Sequence, residues 1–139
     1  MDLTKQYPRS PYSEFGGFVM LGRTVDKARA HNAGKLGEYI YDCPLDRLVF
    51  EFLGVSPEEL AEAVKENSTD EEIMVWVIRM DVPRDSEVVR EFNMSLKGRA
   101  PVTEEQKQRF NLTLEKVAPE RKDVSTWFDL IDAEEGRLP

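Results

Sequence analysis

Thr69-Asp70-Glu71-Glu72-Ile73-Met74-Val75-Trp76-Val77-Ile78-Arg79-Met80 is the stretch on which the fold class turns. Its centre, Ile73 to Ile78, is the longest unbroken apolar run in the chain. The β-branched residues at 73, 75, 77 and 78 would suit a buried strand. Two features argue for helix instead. Thr69 and Glu72 stand three apart as a capping box, and Ile73, Trp76, Val77 and Met80 recur at three and four. The stretch therefore reads as a helix over about 70–80. Apolar residues cover most of its circumference, which predicts that it is the central helix.

Working outward, helix punctuation recurs and strand punctuation hardly appears. Ser56, Pro57 and Glu59 open a helix over 57–67, and Pro44 and Gly54 bracket another over 44–53. Gly34 stops a first helix over 17–33, whose Phe18, Leu21, Val25 and Ala28 share one face. On the C-terminal side Pro83 breaks the chain. Helices then follow over 85–97, over 104–117 behind the Thr103–Gln106 box, and over 124–132 before an acidic tail. Residues 1–16, with Pro8, Pro11 and the Gly16-Gly17 pair, read as an extended arm ahead of one helical domain over 17–139. The expected fold is all-α, a single irregular domain of six to seven short helices. At most one short hairpin is expected, near 35–41.

Composition excludes several classes of function. The 139 residues give room for one core, and the apolar run is far too short to span a membrane. The charged start Met1-Asp2-Leu3-Thr4-Lys5 does not resemble a secretion signal, and the single cysteine, Cys43, forms no internal disulfide. A reducing, cytoplasmic location is the expectation. A net charge of −8 argues against nucleic acid as partner. The charge is uneven, however: residues 1–35 carry six basic and three acidic side chains, or +3, leaving −11 for the rest. Two readings compete, an anion-binding face on the first helix and a basic segment that docks on its own acidic body. The second is favoured, because touching elements of opposite charge need no ligand.

Familiar catalytic motifs, phosphate loops, cofactor fingerprints and metal spacings are absent. No cofactor or metal is expected. His31 reads as a helix-end histidine and Cys43 as a partly buried residue closing the turn before the second helix. Glu58, Glu59, Asp70, Glu71, Glu72, Glu104 and Glu105 suit the positive ends of helices. Asp129, Asp132, Glu134 and Glu135 lack calcium-loop spacing and read as a solvated tail.

Two positions resist such readings. On a helical wheel Arg29 falls at the edge of the first helix's apolar stripe, while Arg23 and Lys27 fall on the open side. An arginine there needs an acid, Asp26 nearby or Asp46 from afar, or else a bound anion. Phe50 lies off its own helix's stripe, and is either covered by another helix or exposed for a partner.

The residues Asp2-Leu3-Thr4, Pro8-Arg9-Ser10-Pro11 and Gly16-Gly17 form a joint pattern with Asp26-Lys27-Ala28-Arg29-Ala30. So do Ala33-Gly34-Lys35-Leu36-Gly37-Glu38-Tyr39 and Tyr41-Asp42-Cys43-Pro44-Leu45-Asp46. Together they resemble the bacterial domain-of-unknown-function family numbered five-zero-six-nine. The resemblance implies a stand-alone bacterial domain and carries no activity, substrate or cofactor.

The reading the sequence supports is a small, non-catalytic binding or interaction module whose partner is a protein or a small anionic ligand. Ligand contact is expected at Arg29, Tyr41 and Asp46. The alternative is a small-molecule-binding protein or small enzyme using Arg29, Tyr41, Cys43 and Asp46. A homo-oligomer joined through Phe50 is a third option.

Overall fold

Four side chains fold back onto the backbone three residues ahead and set where helices begin. Cys43, Ser56, Thr69 and Thr103 each close a capping box, with Asp46, Glu59, Glu72 and Gln106 returning the bond. In the computed structural model, which describes residues 1–82 and 84–139, these boxes start α2 (Pro44–Leu53), α3 (Pro57–Glu66), α4 (Asp70–Arg79) and α6 (Glu104–Val117). Asp85 caps α5 (Ser86–Lys97) and Thr126 caps α7 (Trp127–Glu134). With α1 (Leu21–Ala33), seven helices and one two-stranded hairpin are present among the described residues. The domain is predominantly helical. Pro83, expected to break the chain, lies outside the described residues.

The hairpin is not where the sequence suggested. It joins β1 (Glu14–Phe15) to β2 (Phe18–Val19), pairing Phe15 with Phe18. Gly16 and Gly17, at φ 59° and 88°, supply the two left-handed positions that a tight hairpin turn demands. Phe18 is buried as expected, but on a strand, and α1 starts four residues later than the wheel implied. Residues 35–41, proposed for the hairpin, instead run through turns, with Tyr39 N–H donating to Leu36 O at 3.1 Å. A side chain at Gly16 would overlap the Met74 thioether of α4 as well as strain its φ. Gly16→Ala is expected to lower stability by about 1–2 kcal/mol, the usual penalty for forcing an L-residue left-handed. A urea titration checks this, and an unchanged midpoint would show that the turn tolerates a Cβ.

The central helix is α1, not α4. Nine of its thirteen residues are buried, including Arg23, Asp26 and Lys27, and it packs against α2, α3 and both strands. On α4 only Ile73 and Val77 are buried, and Val75 and Ile78 remain 46% and 45% exposed. Trp76 is only partly buried. Apolar residues around a helix thus did not identify the centre, because a polar face can be buried when other elements bring partners to it. Phe50 is covered from within the chain, at 4% exposure, by an edge-on contact with Tyr41. It is therefore not a surface for a second copy.

The main core runs from the hairpin and α1 through α2, α3 and α4 to Leu96 and Phe128. A smaller cluster of Phe110, Val124 and Leu130 joins α6 to α7. The N-terminal segment is anchored on this body at Leu3, which is buried and whose N–H donates to Lys35 O at 2.9 Å.

Candidate functional site

The polar face of α1 carries three ionic groupings in succession. In the first, Asp46 near the start of α2 is fully buried and its carboxylate is saturated. Oδ1 accepts from the Thr24 hydroxyl at 2.7 Å. Oδ2 accepts from Lys27 Nζ at 2.6 Å and from the backbone N–H groups of Asp42 and Cys43, both at 3.1 Å. One side chain therefore caps α2 and ties it to α1. Lys27 Nζ also reaches Cys43 Sγ at 3.3 Å. An ammonium has three donors, and two are used here.

The second grouping joins α1 to the C-terminal end. Arg23 donates both terminal nitrogens to Glu135, at 2.8 and 2.7 Å, and one also to Arg9 O. Glu135 further accepts from the Tyr39 hydroxyl at 2.8 Å and from Arg137. Both side chains of the Arg23–Glu135 pair are almost wholly buried. Burial pushes the Glu135 carboxyl up, but Arg23, by hydrogen bond and charge, pulls it below its ordinary value. Burial and the bond to Glu135 raise the Tyr39 hydroxyl well above the usual tyrosine range.

The third grouping lies at the other end of this face. Arg9 brackets Asp26 through Nε and Nη2, at 3.1 and 3.0 Å, and reaches Asp70 through Nη1 at 2.9 Å. Arg29 meets the same two acids, Asp70 at 2.8 Å and Asp26 at 3.5 Å. Burial opposes ionisation of Asp70, yet the two guanidinium groups hold its carboxyl below the ordinary value.

An open cleft of about 770 Å³ lies over the first two groupings. Its walls are the Leu3–Tyr7 part of the arm, the Gly37–Cys43 loop and the last turn of α7, and Arg23 and Lys27 stand in its floor. Burial and neighbouring Glu135 raise the Glu134 carboxyl at its edge. Among the described residues, no cluster of His, Cys, Asp and Glu could hold a metal ion.

Of the residues nominated from sequence, Cys43 and Asp46 meet, and Arg29 does not join them. Arg29 finds Asp26, as one reading expected, but not Asp46, which α2 presents to Lys27 instead. The Tyr41 hydroxyl donates to Pro57 O at 2.6 Å, and its ring stacks on His31. Asp46 lies behind Lys27, and Cys43 alone of the four reaches the cleft. The wheel's open side for Arg23 and Lys27 is overturned, at 5% and 3% exposure. So is the solvated acidic tail. Asp129 accepts from the Tyr12 hydroxyl at 2.6 Å, Asp132 from Ser10 at 2.8 Å, and Glu135 from Arg23. The favoured reading of the charge asymmetry does hold: the basic N-terminal segment docks on acids of its own chain.

Sequence reasoning missed Arg9, Arg23, Lys27, Tyr39 and Glu135. Arg9, Lys27 and Tyr39 left a signal, within the motifs that carried the family resemblance, whereas Arg23 and Glu135 left none. Glu135 lies 112 residues from Arg23, and no spacing rule spans that distance.

Fold and cleft together define a small, mainly helical domain organised around one helix with a buried ionic face. The chain belongs to the family described as Domain of unknown function (DUF5069), whose model matches residues 5–137. No curated protein matches it. Among the described residues no helix is long and apolar enough to cross a membrane.

Proposed function

We propose that this protein is a non-catalytic binding module for a small polar ligand with a carboxylate or phosphate group, taken up in the cleft above Arg23 and Lys27. One observation carries the reading: two nearly buried cations are held by hydrogen bonds in the floor of an open cleft of ligand size. Burying charge is costly, and a fold that aims it at a cleft gains when a ligand completes its shell. Lys27 keeps one N–H beyond its bonds to Asp46 and Cys43. Asp46 then serves as the group that positions Lys27. Arg29 and Tyr41, which the sequence nominated for contact, act in this reading by fixing α4 and the loop. The free thiol in this cleft suits a reducing, cytoplasmic compartment.

The test is thermal melting with inorganic phosphate, acetate and succinate, each against sodium chloride at matched ionic strength. At a hundredfold excess over Kd a ligand for the native state adds about 2.7 kcal/mol. At least one anion is expected to raise the melting temperature of the wild type. The Lys27→Met/Asp46→Asn double variant, which keeps α2 capped, should not respond. No response beyond chloride in the wild type, or an equal response in the variant, would overturn the assignment.

A further inference from the structure

A second concave surface lies away from this cleft, between α4, α5 and the hairpin turn, with a volume of about 510 Å³. Its apolar wall comes from Met74, Val77 and Ile78 on α4 and from Val89 and Met94 on α5. The hairpin end of the groove is tied to α5. Asn93 of α5 accepts from Val19 N–H at 3.1 Å and donates to Gly17 O at 2.8 Å, clamping the hairpin against the helix.

Three cations and one acid line it, so the groove is positive in a chain of net charge −8. Arg84, Arg90 and Lys97 line the groove, and none has an ion-pair partner among the described residues. On α1 every arginine and lysine is paired with an acid of the chain. Glu14 is the acid that lines the groove; Glu87 and Glu91, three residues before and one after Arg90 on α5, stand at its edge and do not line it. In a chain of net charge −8, this combination of unpaired cations and apolar floor complements a partner that is acidic and apolar together. Arg90 and Lys97 are seven residues apart, two turns or about 10 Å along the helix. Arg84 adds a third cation before the first turn. A single carboxylate head group needs one such contact, while an extended acidic segment uses all three.

We propose that this groove docks an acidic amphipathic helix of a partner protein. Its apolar side chains, at i, i+3, i+4 and i+7, enter between α4 and α5, and its carboxylates face Arg84, Arg90 and Lys97. The site is separate from the polar cleft, so either assignment can fail without the other.

Selection of a display library of random sixteen-residue peptides on the full-length protein tests it. The enriched sequences are expected to be acidic and to carry apolar residues at helical spacing. Titration of a synthetic winner should give a Kd that weakens with added salt and weakens at least about tenfold in Arg90→Glu/Lys97→Glu, where like charges oppose. The uncharged Arg90→Gln/Lys97→Gln pair should fall between, and circular dichroism confirms that both variants fold. Enrichment of basic or neutral peptides, no enrichment at all, or equal binding by the charge-reversed protein would overturn the proposal. A winner displaced by decanoate alone, with no charge preference among the peptides, would reassign the groove to small amphiphiles.

Discussion

Asp46→Ala is expected to destabilise the protein by about 3–5 kcal/mol, the loss seen when one partner of a buried ion pair is removed. The side chain is fully buried and accepts four hydrogen bonds, from Lys27, Thr24 and two backbone N–H groups at the start of α2. Its removal strands the Lys27 ammonium, which keeps only the Cys43 sulfur, a weak acceptor. It also uncaps α2, a loss of about 1 kcal/mol by itself. Against a typical total of about 5–15 kcal/mol, such a variant sits close to unfolding at ordinary temperature. The reverse deletion costs less. In Lys27→Met the carboxylate keeps its hydroxyl and two backbone donors, so its charge stays solvated by the fold. Urea titration of both variants and the double mutant tests this, with the double costing less than the sum. Additive losses, or a Lys27→Met loss equal to that of Asp46→Ala, would refute the shared-acceptor account.

Glu135→Gln is expected to cost about 3–5 kcal/mol near neutral pH and to flatten the acid side of the stability profile. The carboxylate takes both Arg23 contacts, and its folded-state pKa lies below the ordinary 4.5. A group depressed on folding stabilises above its unfolded value, and that contribution disappears as pH falls through the folded value. The loss from Glu135 therefore begins below about pH 4.5. Asp70, depressed by Arg9 and Arg29, adds a smaller loss of the same sign from about 3.8 downward. Glu134 and Asp132 act oppositely. Burial raises both, so mild acid relieves them before Glu135 is protonated. The wild type should thus be most stable on the mildly acid side of neutrality and lose stability steeply below it. Urea titrations at about pH 7, 5 and 3 on wild type and variant isolate the Glu135 contribution. Parallel curves would show that Glu135 does not carry the acid sensitivity. At the alkaline end Tyr39, raised on folding, withdraws its contribution as pH climbs past its ordinary value of 10.

What the sequence by itself determined is local. Capping boxes at Ser56, Thr69 and Thr103, Pro44 at a first turn and glycines beyond helix ends are interactions within four residues. They placed four of the seven helix starts on the residue where they stand. The two-glycine turn was equally local, but its positive φ pair was read as part of an arm because strands of two residues leave no alternation to detect. Joint motifs in the first third also pointed to the family.

Only the tertiary structure decided which helix is central and where the charges lie. A wheel ranks faces by polarity, and by that rule Lys27 and Arg23 belong in water. They are buried because Asp46 arrives from α2 and Glu135 from the far end of the chain, and a paired charge can enter a core that an unpaired one cannot. The same partners emptied the expected site. Once Asp46 holds Lys27, Arg29 turns to Asp70, and Tyr41 is left to close over Phe50. Pairing over such separations follows from which surfaces meet, and no periodicity in one chain records it.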